Sequence, residues 1–267
     1  MKLDHIALAT FDPTAALTAL VGDLGATVLG GGDGAGGFRW VQVFLGDNGG
    51  DNGGDNGGDN GGDDGSEYGR GMKVEIITPW NSAHNDFLAR FLDRHGAGAH
   101  HLTFKVDDLA AELVRLNELG FSPVGVNLEN PEWREAFLLP RQSHGTVVQL
   151  AESSIDPLYP IDEYRNACQN GPIGTPFWWD APEAVGIVRS LTRVVLRSSQ
   201  PAATVEFFRT VLGGTTDGDD LIWPGGGRIQ VIAGGEKNTG VDHLEITTDH
   251  SNATAPESFT VAGVKFI

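Results

Sequence analysis

The chain has 267 residues, room for one large domain or two smaller ones, and its apolar fraction of 40% is enough to build a core. It contains no apolar run of about 18 residues, so no membrane span is expected, and its first residues do not read as a secretory signal. A net charge of −18 argues against nucleic acid and other polyanions as partners, while a single cysteine, Cys168, excludes an internal disulfide and fits a cytoplasmic location.

Residues 2–10, "KLDHIALAT", alternate and predict a strand. Asp12 and Pro13 then supply an N-cap and a first-turn proline for a helix ending near Gly25. "ATVLGG" and "FRWVQVFL" predict two more strands, and "MKVEIITPW" (72–80) a fourth. Between the last two lies an Asp/Asn/Gly segment, 47–66, repeating "DNGG". It has too little apolar content to offset its ordering entropy and is expected to be a disordered, solvated loop. Its oxygen-rich side chains suggest calcium, but neither the EF-hand spacing nor the nine-residue calcium repeat is present.

The same order then returns. "AHHLTFKV" (99–106) reads as a strand, and Asp107 as the cap of a helix with Leu109, Leu113 and Leu116 on one face, closed by Gly120. "FSPVGV", "WREAFLLP" and "GTVVQLA" supply three further strands. A third copy runs from Ser190 to about Ala233. A fourth, shortened, begins at "GVDHLEITTD" and has room for a short helix and one strand, "GVKFI". The predicted architecture is therefore α+β, made of paired βαβββ modules whose curved mixed sheets surround a cavity. It divides into a first pair at 1–155, a Pro- and aromatic-rich linker at 156–187, and a degenerate second pair at 188–267. Glycines at 30–37 lack the strand-to-helix context of a phosphate loop.

Alternation decides which polar residues share a face. His5 opposes Ile6 and Leu8; Glu75 opposes Val74 and Ile76; Gln149 opposes Val148 and Leu150. With Leu102 and Phe104 facing the helix, His101 rather than His100 points the other way. Two imidazoles, a carboxylate and an amide oxygen at matching places in two repeats can hold one divalent ion, with Fe, Co, Ni, Mn and Zn all compatible. The second pair carries Arg193, Gln230 and His243 at the corresponding places. Because arginine stays protonated and cannot ligate, that half is expected to hold no metal.

The motifs "LDHIAL", "VEIITP", "GAHHLTFKVDD" and "HGTVVQLAE" resemble the vicinal oxygen chelate superfamily, which includes glyoxalase I, methylmalonyl-CoA epimerase, extradiol dioxygenases and bleomycin-resistance proteins. The likeness is close over 1–152, nearest to the epimerase and glyoxalase branch, and weak over 188–267. It implies a metal site on His5, Glu75, His101 and Gln149, and modules that pair within a chain or across a homodimer. The epimerase pattern has Gln first and Glu second; here the order is reversed. Gln149 cannot take a proton, which leaves Glu75 as the candidate base. Glu135 and His144 are alternatives in sequence that a surface-loop role fits better. Trp133, Arg134 and Glu135 fall where a substrate could be contacted.

Three functions follow as expectations. The first is a metal-dependent isomerase, epimerase or lyase acting on a small substrate with vicinal oxygens through an enediolate-like intermediate. The second is an iron-dependent dioxygenase, for which His5, His101 and Glu75 would form the usual triad. The third is a binding protein that sequesters a drug or metabolite without catalysis.

Overall fold

In β1 (Lys2–Ala9) the side chains of Ile6 and Leu8 fall on one face and are wholly buried. Asp12 caps α1 (Pro13–Leu17), its side chain accepting from the Ala15 N–H with Pro13 in the first turn, and the helix continues as a π-helical turn, Thr18–Asp23. Leu17, Leu20 and Leu24 from this segment pack against the Ile6 face. The module is completed by β2 (Thr27–Asp33), β3 (Phe38–Gly46) and β4 (Gly71–Pro79). The computed structural model describes residues 1–34, 36–46, 71–153, 189–248 and 258–267. The Asp/Asn/Gly loop, the 156–187 linker and the short helix expected in the fourth copy lie outside the described residues.

After α2 (Phe87–His95) come β5 (Gly98–Lys105), α3 (Leu109–Glu118), β6 (Val124–Asn127), β7 (Arg134–Leu138) and β8 (Val147–Glu152). The eight strands form one curved mixed sheet in the order β2-β3-β4-β1-β5-β8-β7-β6. At its centre β1 and β5 run antiparallel, and each is flanked by the last strand of its own module in parallel register. The two modules thus join edge to edge, and the central strands bring the faces carrying the predicted residues side by side.

The second half repeats the plan with β9 (Arg189–Ser198), α4 (Pro201–Thr210), β10 (Thr215–Asp217), β11 (Asp220–Ile222), β12 (Arg228–Ala233), β13 (Gly240–Thr248), β14 (Phe259–Val261) and β15 (Val264–Phe266). Its seven-stranded sheet runs β10-β11-β12-β9-β13-β15-β14, with β9 and β13 antiparallel at the centre. The predicted α+β class and its curved mixed sheets are borne out, with four α-helices and no closed barrel among the described residues.

One apolar core serves both halves. Phe104, on the helix side of the first sheet, meets the rings of Phe208 at 6.1 Å and Trp223 at 5.2 Å. The second half therefore packs against the helix-bearing face of the first, and the polar face is turned away from it.

Details depart from the sequence-based expectations. The residue capping α3 is Asp108, not Asp107; its side chain accepts from the Ala111 N–H. The chain ends in two short strands, not one. Trp133 lies just before its expected strand. Helix α2 is an addition to the module plan. Its Leu88 and Leu92 pack on Ala7, Ala9 and Ile77, so it covers one end of the polar face.

Candidate metal centre

Three of the four predicted ligands converge. His5, Glu75 and His101 each offer an atom within 4.8 Å of the others, and all three are buried. Glu75 Oε2 lies 3.5 Å from His5 Nε2 and 3.9 Å from His101 Nε2. Register explains the convergence: Ala7 of β1 is opposite Glu75 on one side and His101 on the other. Glu75 Oε1 accepts from Gln42 Nε2 at 3.3 Å, across the β3–β4 pair. Two buried atoms here have no hydrogen-bond partner among the described residues: His101 Nε2 and Gln42 Oε1. Unpaired buried polar atoms are costly, and two beside a carboxylate fit a place for a cation.

Gln149 stands at the edge of this group. Its Oε1 accepts from Thr103 Oγ1 at 2.6 Å, its Nε2 donates to Glu135 Oε2 at 2.7 Å, and Thr103 Oγ1 is 3.0 Å from His5 Nε2. Trp133 places its ring 6.4 Å from that of His5 and donates through Nε1 to Glu135. Arg134 is turned elsewhere. Its guanidinium donates to Glu152 Oε1, whose partner oxygen accepts the Leu109 N–H at the start of α3. His144 lies outside the centre, its ring 5.9 Å from Phe207 in the second half.

Three contributors were not among the predicted residues, Asp4, Gln42 and His100, and of these Asp4 and His100 escape a simple alternation reading. Asp4 Oδ2 is 2.7 Å from His5 Nδ1 and its Oδ1 is 2.8 Å from Lys73 Nζ. His100 Nδ1 is 2.8 Å from His101 Nδ1, with the rings of Phe91 and Phe87 of α2 at 4.7 and 6.0 Å. Gln42 was legible as a polar break in "WVQVF" on the strand beside Glu75.

The centre holds unusual charge states. Burial opposes a charge on Asp4, but Lys73 and His5 outweigh it and hold the carboxyl well below the usual range. Burial also works against a charged His5 ring; the Glu75 carboxylate and the bond to Asp4 prevail and raise it to about 8. His101 is driven well below its ordinary value by burial and by the neighbouring imidazoles. Burial brings His100 down to about 4. Glu135 is raised, first by burial, against the bonds from Trp133 and Gln149, and further by the Glu75 charge. Carboxylate and imidazole groups tuned apart in one cleft are typical of sites that bind cations or move protons.

Residues 62–137 match the family model of the Glyoxalase/Bleomycin resistance protein/Dioxygenase superfamily. The resemblance to the vicinal oxygen chelate superfamily holds. Among curated proteins no relative matches the chain. A hypothetical protein from Staphylococcus aureus shares the fold over 99% of this chain and 97% of its own, at 12% identity and a TM-score of 0.60. Methylmalonyl-CoA epimerase from Mycobacterium tuberculosis aligns with 58% of this chain and 89% of its own, at 22% identity and a TM-score of 0.43. A Streptomyces coelicolor epimerase in complex with 2-nitronate-propionyl-CoA covers 58% and 99%, at 19% identity and a TM-score of 0.42. Strands β1 and β4 of one module and β5 and β8 of the next carry the four residues, and the staphylococcal structure shares this fold.

Proposed function

We propose that the chain is a divalent-metal-dependent isomerase, epimerase or lyase of the glyoxalase type, acting on a small substrate that presents adjacent oxygens. The observation carrying this reading is the facing of two imidazole Nε2 atoms on one Glu75 oxygen, with His101 Nε2 left unpaired in a buried place. His5, Glu75 and His101 would hold the ion, with Gln149 turning its amide oxygen in as a fourth ligand. A divalent cation bound there supplies Lewis acidity for negative charge developing on the substrate's oxygens.

The chain's own residues do the rest. Glu75 is the base of first choice, with Gln42 orienting its second oxygen. Glu135 is a second proton-handling group. It is bonded to Gln149 and Trp133 beside the cluster and holds its proton more tightly than an ordinary glutamate. Two carboxyl groups in different environments suit a reaction that removes a proton and returns one. Trp133 offers an apolar wall close to His5.

The test is elemental analysis of the purified protein beside His5→Ala and His101→Ala, followed by proton exchange in deuterated water with a panel of α-hydroxycarbonyl compounds and acyl thioesters. About one divalent ion per chain, lost in both variants, with deuterium entering next to a carbonyl, is the expected result. Iron with oxygen uptake would replace the reading with a dioxygenase. Tight ligand binding by a protein that takes up no metal would replace it with a sequestering protein.

A further inference from the structure

In a regular strand, consecutive side chains point to opposite faces, so an aspartate cannot reach the imidazole that follows it. At the centre this rule is broken twice. Between Leu3 and His5 the pairing of β1 with β5 slips by one residue, leaving Asp4 as the extra residue of a β-bulge. Between Ala7 and Leu8 the slip is on the other strand, and His100 is the extra residue. A bulge swings its extra side chain toward the side of its neighbour. In both cases that side chain bonds the Nδ1 atom of the next residue: Asp4 to His5 at 2.7 Å, and His100 to His101 at 2.8 Å.

We propose that these two bulges are tautomer locks, and that Asp4 and His100 are positioning residues which keep the proton of each following imidazole on Nδ1 and turn both Nε2 atoms toward Glu75. This rests on the reading of the cluster as a metal centre. An aspartate paired with Lys73 can only accept, so the Nδ1 of His5 must carry a proton. Once His5 is neutral, its Nε2 carries the lone pair, with Thr103 Oγ1 beside it at 3.0 Å. His101 and His100 share one proton between two Nδ1 atoms. With it on His101, the unpaired Nε2 of His101 is a bare lone pair facing the cleft. Phe87 and Phe91 brace the His100 ring, which gives α2 a purpose in a module plan that otherwise lacks it.

The second half carries the same device. The β9–β13 pairing slips at Thr192 and at Asp242, and Asp242 Oδ2 lies 2.9 Å from His243 Nδ1. The bulge before the histidine is thus a property of the repeated module, present where Arg193 has replaced the other imidazole.

Two measurements test the inference. The first is nitrogen–proton correlation spectroscopy of the histidine rings in the unaltered, metal-free protein at pH 9.5 or above, roughly where both rings are neutral. Both His5 and His101 are expected to carry the proton on Nδ1; a proton on Nε2 of either overturns the lock at that residue. The second is cobalt(II) affinity by competition with a chromophoric chelator. Asp4→Leu and His100→Leu are each expected to weaken binding about 10- to 100-fold, while Asp4→Asn and His100→Asn, which keep an acceptor, recover most of it. Affinity unchanged in the Leu variants would overturn the inference and leave the metal centre standing. Nδ1 protons in a protein that binds no cobalt would leave the tautomer lock standing and overturn the metal centre.

Discussion

Arg193 occupies in the second sheet the place His5 holds in the first. His5 faces Thr103 across the central antiparallel pair, and Arg193 faces Glu245 across its own. The guanidinium is 2.8 Å from Asp220 and 2.6 Å from Glu245, and these bonds raise its hold on the proton further. The positive charge that a cation would bring to the first centre is built into the second as a side chain. His243 and Glu245 remain, with His243 Nε2 3.7 Å from Glu245 Oε1.

Two substitutions follow from this relationship. Arg193→Ala leaves the buried Asp220 carboxylate without its main partner, at a cost of about 1–3 kcal/mol in urea denaturation, moderated by the partial exposure of the arginine. Arg193→His should create a second cation site from the residues already there. Titration calorimetry with zinc is expected to show one further equivalent per chain, and no added binding would show that the second sheet holds its carboxylates too far apart.

The pH dependence of the metal-free protein and of metal uptake should run in opposite directions. His5 has a folded value of about 8 against an ordinary 6.5. Its contribution to stability is fully present below pH 6.5 and is lost as pH rises through about 8. A cation needs the Nε2 lone pair, so affinity should rise over the same interval and level off above it. Thermal midpoints in chelator and zinc competition, both across pH 6 to 9, check the two trends. An affinity flat through this range would mean that the ion displaces no proton from His5.

The two glutamates should separate by what they lose. Glu75→Gln is expected to lower metal content as well as turnover. Glu135→Gln is expected to keep the metal and lower kcat by about 10²- to 10⁴-fold, the usual range for removing a general acid or base. Metal analysis of both variants beside kcat and KM distinguishes a ligand from a proton carrier.

Phe104→Ala tests whether the halves are one unit. Its ring is fully buried and touches Phe208 and Trp223. A loss of about 3–5 kcal/mol is expected for so large a cavity. Because the cavity opens between the halves, tryptophan fluorescence and far-ultraviolet circular dichroism should shift together in urea. Separate transitions would show independent unfolding.

The strands were legible because each is a run of alternating or continuous apolar residues bounded by glycine, proline or aspartate, and the repeat fixed their order. The facing of His5, Glu75 and His101 was legible for the same reason: alternation holds at each of them. It fails one residue earlier. Strict alternation puts His100 on the helix side, yet the bulge brings it round to His101. A bulge has no residue signature of its own, so Asp4 and His100 were visible only as neighbours of the ligands. Arg134 differs from its neighbour because alternation does hold there. It lies next to Glu135 in sequence, but regular alternation sends it to the other face, where Glu152 holds it. Helix α2 was hidden because it is short and its apolar residues stand among Asp, Arg and His; only Leu88 and Leu92, one turn apart, are buried.

The central position of β1 also governs the order in which the centre is made. Its neighbours are distant along the chain: the Asp4–Lys73 bond spans 69 positions and the Thr103–His5 bond spans 98. Contacts of that separation form slowly, because the entropy of closing the loop is lost before the contact repays it. Until β1 is seated, β4 and β5 each present an open edge, the kind of surface on which chains associate wrongly. Seating this one short strand closes both edges and brings His5 beside Glu75 and His101 in the same step.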